Sequence, residues 1–121
     1  DPLWSRGLGD VYKRQSLIEM KYLTKYFNGK ETTVESLAGV GDLYVSAAGG
    51  RNSKMGDYLG KGFTFKSAKK KFMFKDTVEG EQLAREIGPF IFKKINLQKI
   101  PLMINLITSL LKNKKLNLKK L

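Results

Sequence analysis

A chain of 121 residues, 41% apolar and 11% aromatic, can bury one core, whereas two independent domains would each sit near the lower limit of self-sufficiency. It has no cysteine and no histidine, which excludes disulfides, thiol nucleophiles, the usual zinc sites and histidine-based triads, so catalysis would rest on Lys, Asp, Glu or Tyr. A net charge of +12 favours anionic partners (nucleic acid, membrane surface or phosphorylated metabolites) without choosing among them.

No apolar run reaches the roughly 18 to 20 residues of a membrane span, and the N-terminus lacks a signal-peptide core; a soluble, cytoplasmic protein is expected. Residues 1–15, with Trp4, share no period with the segment after them and resemble a translated sequencing adapter, so they read as a non-native leader. From Ser16, Leu17, Met20, Leu23, Tyr26 and Phe27 recur at helical spacing up to a stop at Asn28-Gly29. Glu31 to Leu37 reads as a short helix or turn. Gly41 to Ala48 reads as a buried helix, with a strand at Leu43 to Ser46 as the competing assignment.

Arg51 to Leu59 forms the next helix, with Asn52 or Ser53 as cap and Gly60 or Gly62 as stop. Thr64 caps a lysine-rich helix from Phe65 to Phe74 whose Phe65, Ala68, Phe72 and Met73 face inward. Glu79 to Lys94 presents Leu83, Ala84, Ile87, Phe90 and Ile91 to the core, with Gly88-Pro89 expected to bend or split it. Pro101 opens a last helix with an apolar face of Leu102, Met103, Leu106, Ile107, Leu110 and Leu111. The sum is an all-α, bundle-like domain of five to seven helices over 16–112, followed by a basic tail, 113–121, expected to fray.

Chemistry concentrates between Gly39 and Gly62, which holds seven of the twelve glycines. Gly39-Val40-Gly41 is not a dinucleotide fingerprint, because Tyr44 stands where the third glycine belongs; Gly56 to Gly62 has the wrong spacing for a P-loop. Asp42 sits among small and apolar residues, where a buried carboxylate needs a partner: a helix cap or salt bridge on one reading, substrate hydroxyls or a catalytic lysine on the other. Arg51-Asn52 after Gly49-Gly50 is either an exposed arginine beside an Asn cap or a phosphate-binding helix start. The lysines from Lys66 to Lys75 read as a solvated face. Phe72, Phe74, Phe90 and Phe92 are assigned to the core, and no aromatic residue is interleaved as nucleic-acid stacking requires.

The blocks Leu37 to Tyr44, Gly50 to Asn52, Gly56 to Gly62 and Thr77 to Gly80 closely resemble, in order and near-spacing, the C-terminal domain of bacterial NAD(P)-dependent glycerol-3-phosphate dehydrogenase, from about Ser16 to about Leu111. The resemblance implies an all-helical substrate domain of the 6-phosphogluconate dehydrogenase C-terminal type. It also implies interconversion of dihydroxyacetone phosphate and sn-glycerol 3-phosphate by hydride transfer with NADH or NADPH, feeding phospholipid synthesis. Asp42, Gly50, Arg51 and Asn52 would then contact substrate, Gly50 through its backbone because the family often has serine there; Arg51, Thr77 and Glu79 would contact the cofactor. NAD or NADP would bind mainly to an N-terminal Rossmann domain, which has no counterpart in these 121 residues, nor has the catalytic lysine. A C-terminal piece, inactive alone, is therefore expected, with no nucleic-acid partner and no membrane span, and with a homodimer of the full-length enzyme left open. The alternative is a small basic helical module that binds nucleic acid or another polyanion.

Overall fold

The computed structural model describes residues 13–27, 38–43 and 50–117. These form α1 (Lys13–Phe27), α2 (38–43), α3 (Gly50–Gly60), α4 (Phe65–Phe72), α5 (Glu79–Lys94), a 3-10 turn at Leu97–Lys99 and α6 (Pro101–Lys112), an all-α fold. The readings for Glu31 to Leu37 and for 44–48, and Trp4 with most of the expected leader, lie outside the described residues.

Helix α1 begins at Lys13, three residues before the predicted start. Its buried face is Ser16, Glu19, Leu23 and Phe27, whereas Leu17 and Tyr26, predicted to face inward, are exposed. Glu19 on this face serves the start of α6. Pro101 at the start of α6 has no N–H, and the residue before it, Ile100, has no side chain that can cap the helix. The next two donors are met from α1: Glu19 Oε2 accepts from Leu102 N at 2.8 Å and Oε1 from Met103 N at 2.7 Å. Gln15 Nε2 adds a third bond to Oε2 at 2.8 Å. Burial pushes the Glu19 carboxyl above its usual range, and the three hydrogen bonds oppose that shift without cancelling it.

Helix α6 packs against α1 and α5 and buries Leu102, Met103, Leu106, Ile107 and Leu110, the predicted face. Helix α5 covers the predicted residues without a break, although Pro89 lies inside it. Beside it, Gly88 lets α6 come close: a Cβ there would stand 2.8 Å from Leu111 Cδ1 and 3.1 Å from Ile107 Cγ2. Ala84, Ile87 and Ile91 turn inward, but Phe90 is exposed and lies 5.6 Å, centroid to centroid, from Phe27.

Thr64 caps α4 as predicted, its Oγ1 accepting from Ser67 N at 3.2 Å. The helix ends at Phe72, two residues early, where Lys69 Nζ donates to the carbonyls of Met73 and Phe74. Phe72 and Phe74, assigned to the core from the sequence, are 43% and 68% exposed. Phe65, Ala68 and Met73 fill the inner side, and Phe72 instead stacks on Tyr58 at 4.4 Å with the rings 9° from parallel.

The tail through residue 117 is tied down rather than frayed. Asn113 adopts a left-handed conformation (φ 50°) that ends α6. Lys114 N donates to Ser109 O at 3.0 Å, Ser109 Oγ to Lys114 O at 2.6 Å, and Asn117 N to Asn105 Oδ1 at 3.0 Å. Among the described residues no helix is long and apolar enough to cross a membrane.

Candidate functional site

The predicted site residues lie on α2, at the start of α3 and at the start of α5, with Thr77 two residues before α5 begins. Glycine sets how closely α2 and α5 approach. A Cβ on Gly80 would fall 2.8 Å from Leu43 Cγ and 3.0 Å from the Gly39 carbonyl oxygen, and one on Gly39 would fall against Leu83. Gly80 has no room for a side chain as the helices stand, and Gly39 has room only if the Leu83 side chain moves, so α2 rests on the first turn of α5.

Asn52 joins α3 to the same point. The sequence pattern assigns it to the cap of α3, yet α3 starts at Gly50 and Asn52 lies inside it. Its Oδ1 accepts from Gly80 N at 3.0 Å and so caps α5, whose own N-cap residue, Val78, has no polar side chain to do so. Among the described residues Asn52 Nδ2 has no acceptor.

Asp42 is exposed beside the fully buried Leu43, and no described residue bonds to it, so the partner inferred from its apolar surroundings is not found among them. The protein around Asp42 nonetheless removes enough water to hold its carboxyl above the usual range. Gly50 opens α3 at φ +88°, with open space where a Cβ would point. That conformation strains any L side chain, which accounts for glycine here. Arg51 is exposed, and no described carboxylate pairs with its guanidinium. Thr77 and Glu79 are both exposed, alternating with the buried Val78 and Gly80.

Asn52 and the Glu79-Gly80 turn are therefore in direct contact, and Asp42 is one residue from a side chain that touches the same turn. No bond links the side chains of Asp42, Arg51 and Glu79 to one another among the described residues. A guanidinium and an amide offer forked donors suited to a phosphate, and two carboxylates offer acceptors for hydroxyl or amide protons. The scaffold of Gly39, Leu43 and Gly80 was not anticipated from the sequence; its two glycines were its visible signs.

The family described as NAD-dependent glycerol-3-phosphate dehydrogenase C-terminus matches residues 8–119. The chain belongs to this family. The glycerol-3-phosphate dehydrogenase [NAD(+)] of Candida tropicalis is 30% identical over 103 residues, covering 82% of this chain and 26% of that protein. Glycerol-3-phosphate dehydrogenase [NAD(+)] 1 of Schizosaccharomyces pombe is 26% identical over 102 residues, with the same coverage. Its Yarrowia lipolytica namesake is 33% identical over 104 residues, covering 79% of this chain and 26% of that protein. No solved structure gives a significant match. The glycerol-3-phosphate dehydrogenase relatives are thus oxidoreductases by name, and the chain spans about a quarter of their length.

Proposed function

We propose that this chain supplies the substrate-side wall of a glycerol-3-phosphate dehydrogenase that interconverts dihydroxyacetone phosphate and sn-glycerol 3-phosphate. The observation that carries the reading is the Asn52–Gly80 hydrogen bond, because it joins the substrate-side pair Arg51-Asn52 to the turn that bears Glu79. Arg51 and Asn52 Nδ2 hold the phosphate, and Asp42 accepts from substrate hydroxyls and orients the catalytic lysine, contributed from outside these 121 residues.

When bound, the cofactor, NAD as in the relatives' names or NADP in its place, would carry the hydride, given up by its reduced form and taken up by its oxidised form. Two exposed side chains of this wall would suit it: Glu79, a carboxylate, can accept from ribose hydroxyls or an amide N–H but would repel a diphosphate, and Thr77 adds a hydroxyl. Most of the cofactor contact then belongs to a Rossmann domain. Losing the lysine as general acid costs about 10² to 10⁴ in rate, so the chain alone should show no enzyme-like turnover of dihydroxyacetone phosphate with NADH. The product would feed phospholipid synthesis in the cytoplasm.

Calorimetric titration of the chain with sn-glycerol 3-phosphate tests the proposal. Saturable binding abolished by Arg51→Ala supports it. A reading as a nucleic-acid module gains instead if DNA binds with steep salt dependence, Arg51→Ala has no effect on it, and glycerol phosphate does not bind.

A further inference from the structure

A second basic feature lies apart from the proposed substrate wall, in a cleft of ≈ 320 Å³ where the α3–α4 turn, α4 and the tail after α6 meet. Its lining includes the ammonium-bearing Lys61, Lys71 and Lys115, the hydroxyls of Thr64 and Ser67, and Phe63, with no carboxylate among them. All three lysines are exposed, and none is in an ion pair among the described residues.

These groups are held in place by the fold. Lys71 Nζ lies 5.8 Å from the Phe63 ring centroid, and Lys61 Nζ lies 5.8 Å from that of Tyr58. Lys115 is far along the chain, but the hydrogen-bonded tail carries it here: Asn113 Oδ1 accepts from Lys66 N at 3.0 Å, and the Asn117–Asn105 bond fixes the other side. Thr64 Oγ1 already accepts from Ser67 N, so its hydroxyl proton is available to donate. Three like charges around one concave space repel one another until an anion sits between them.

We propose that this cleft binds a small, soluble, multiply charged phosphate, such as a compound carrying a diphosphate, at a site separate from the Arg51-Asn52 wall. A phosphate monoester brings at most about two negative charges to the three ammonium groups, whereas a terminal diphosphate or inorganic pyrophosphate brings about three near pH 7. The cleft is concave and offers hydroxyl donors beside the lysines, which suits a ligand that enters it rather than a membrane plane lying across it. The site is independent of the dehydrogenase reading, since it uses none of the same residues.

The test is calorimetry of the whole chain with inorganic pyrophosphate as probe, repeated with Lys71→Ala, Lys115→Ala, Arg51→Ala and, as a control for net charge, Lys99→Ala. Thermal unfolding of each variant confirms that these exposed substitutions leave the fold intact. In the Arg51→Ala background, where the substrate wall's own phosphate contact is removed, the expected result is 1:1 binding, weakened about tenfold or more by Lys71→Ala and by Lys115→Ala, as loss of a charge-assisted contact predicts. Lys99→Ala should have much less effect, and binding should survive Arg51→Ala. Equal weakening by all three lysine variants would assign the binding to diffuse charge and overturn the proposal. So would loss of binding in Arg51→Ala, absence of saturable binding, or binding to phosphatidylserine vesicles without binding to pyrophosphate.

Discussion

Asn52 Oδ1 accepts the Gly80 N–H at 3.0 Å across 28 residues of chain, so the side chain beside Arg51 caps the helix whose first residue is Glu79. The amide oxygen thereby holds the fold, while the proposed function gives the amide nitrogen to a ligand. Substitution should separate them. Asn52→Ala removes the acceptor and leaves the buried Gly80 N–H unsatisfied, at a cost of about 1–2 kcal/mol measured by urea unfolding. Asn52→Asp keeps the acceptor and should stay close to wild-type stability, yet its charge should repel a phosphate and weaken glycerol phosphate binding.

The two glycines between α2 and α5 should differ in tolerance. At Gly80 a methyl group meets the fully buried Leu43 and a backbone carbonyl, neither of which can withdraw, so Gly80→Ala should cost about 1–3 kcal/mol. At Gly39 the obstacle is the end of the half-buried Leu83 side chain, which can rotate away. Relief of the glycine penalty inside a helix, about 1 kcal/mol, should then leave Gly39→Ala close to neutral. Unfolding curves of the two variants, compared directly, check the ranking.

Glu19 should be the most costly polar side chain to truncate. Glu19→Ala strands the Leu102 and Met103 N–H groups in the core, and bonds to a carboxylate are worth about 1.5–3 kcal/mol each. A loss of about 3 kcal/mol is expected, with α6 the first element to lose amide protection in hydrogen exchange.

The same residue sets a pH dependence. Its carboxyl in the folded protein lies above the ordinary 4.5, so the folded state holds this proton more tightly than the unfolded chain. Glu19's contribution is therefore greatest below 4.5 and declines as pH rises through the folded value. Wild type should gain stability relative to Glu19→Gln as pH is lowered from about 7 toward that range. A difference that is flat with pH, or runs the other way, contradicts the burial argument.

These residues also show what a sequence can convey. The extents of α5 and α6, the Thr64 cap and the all-α class were legible because apolar period, Pro101 and a capping hydroxyl are local signals. Glu19 was not, because its partners lie 83 and 84 residues away and a carboxylate on an apolar face looks like an interruption of it. Phe72 and Phe74 misled for the reverse reason: apolarity marks a preference for burial, while Tyr58 offers Phe72 a stacking partner outside the core. At the site, Arg51, Asn52 and Glu79 stood out by residue type and family resemblance. The contact that joins two of their segments depends on an amide oxygen meeting a backbone N–H, which no spacing encodes.

If Asp42, Arg51-Asn52 and the Glu79 turn form one substrate-facing wall, a single ligand should perturb all three together. Backbone amide chemical-shift mapping of the ¹⁵N-labelled chain during titration with sn-glycerol 3-phosphate tests this most directly. Saturable shifts are expected, concentrated at Asp42, Gly50 to Asn52 and Thr77 to Gly80, and absent in Arg51→Ala. Shifts concentrated instead around Lys61 to Ser67 and Lys115, or spread evenly over the lysine-rich surface, would contradict a wall built from these three segments.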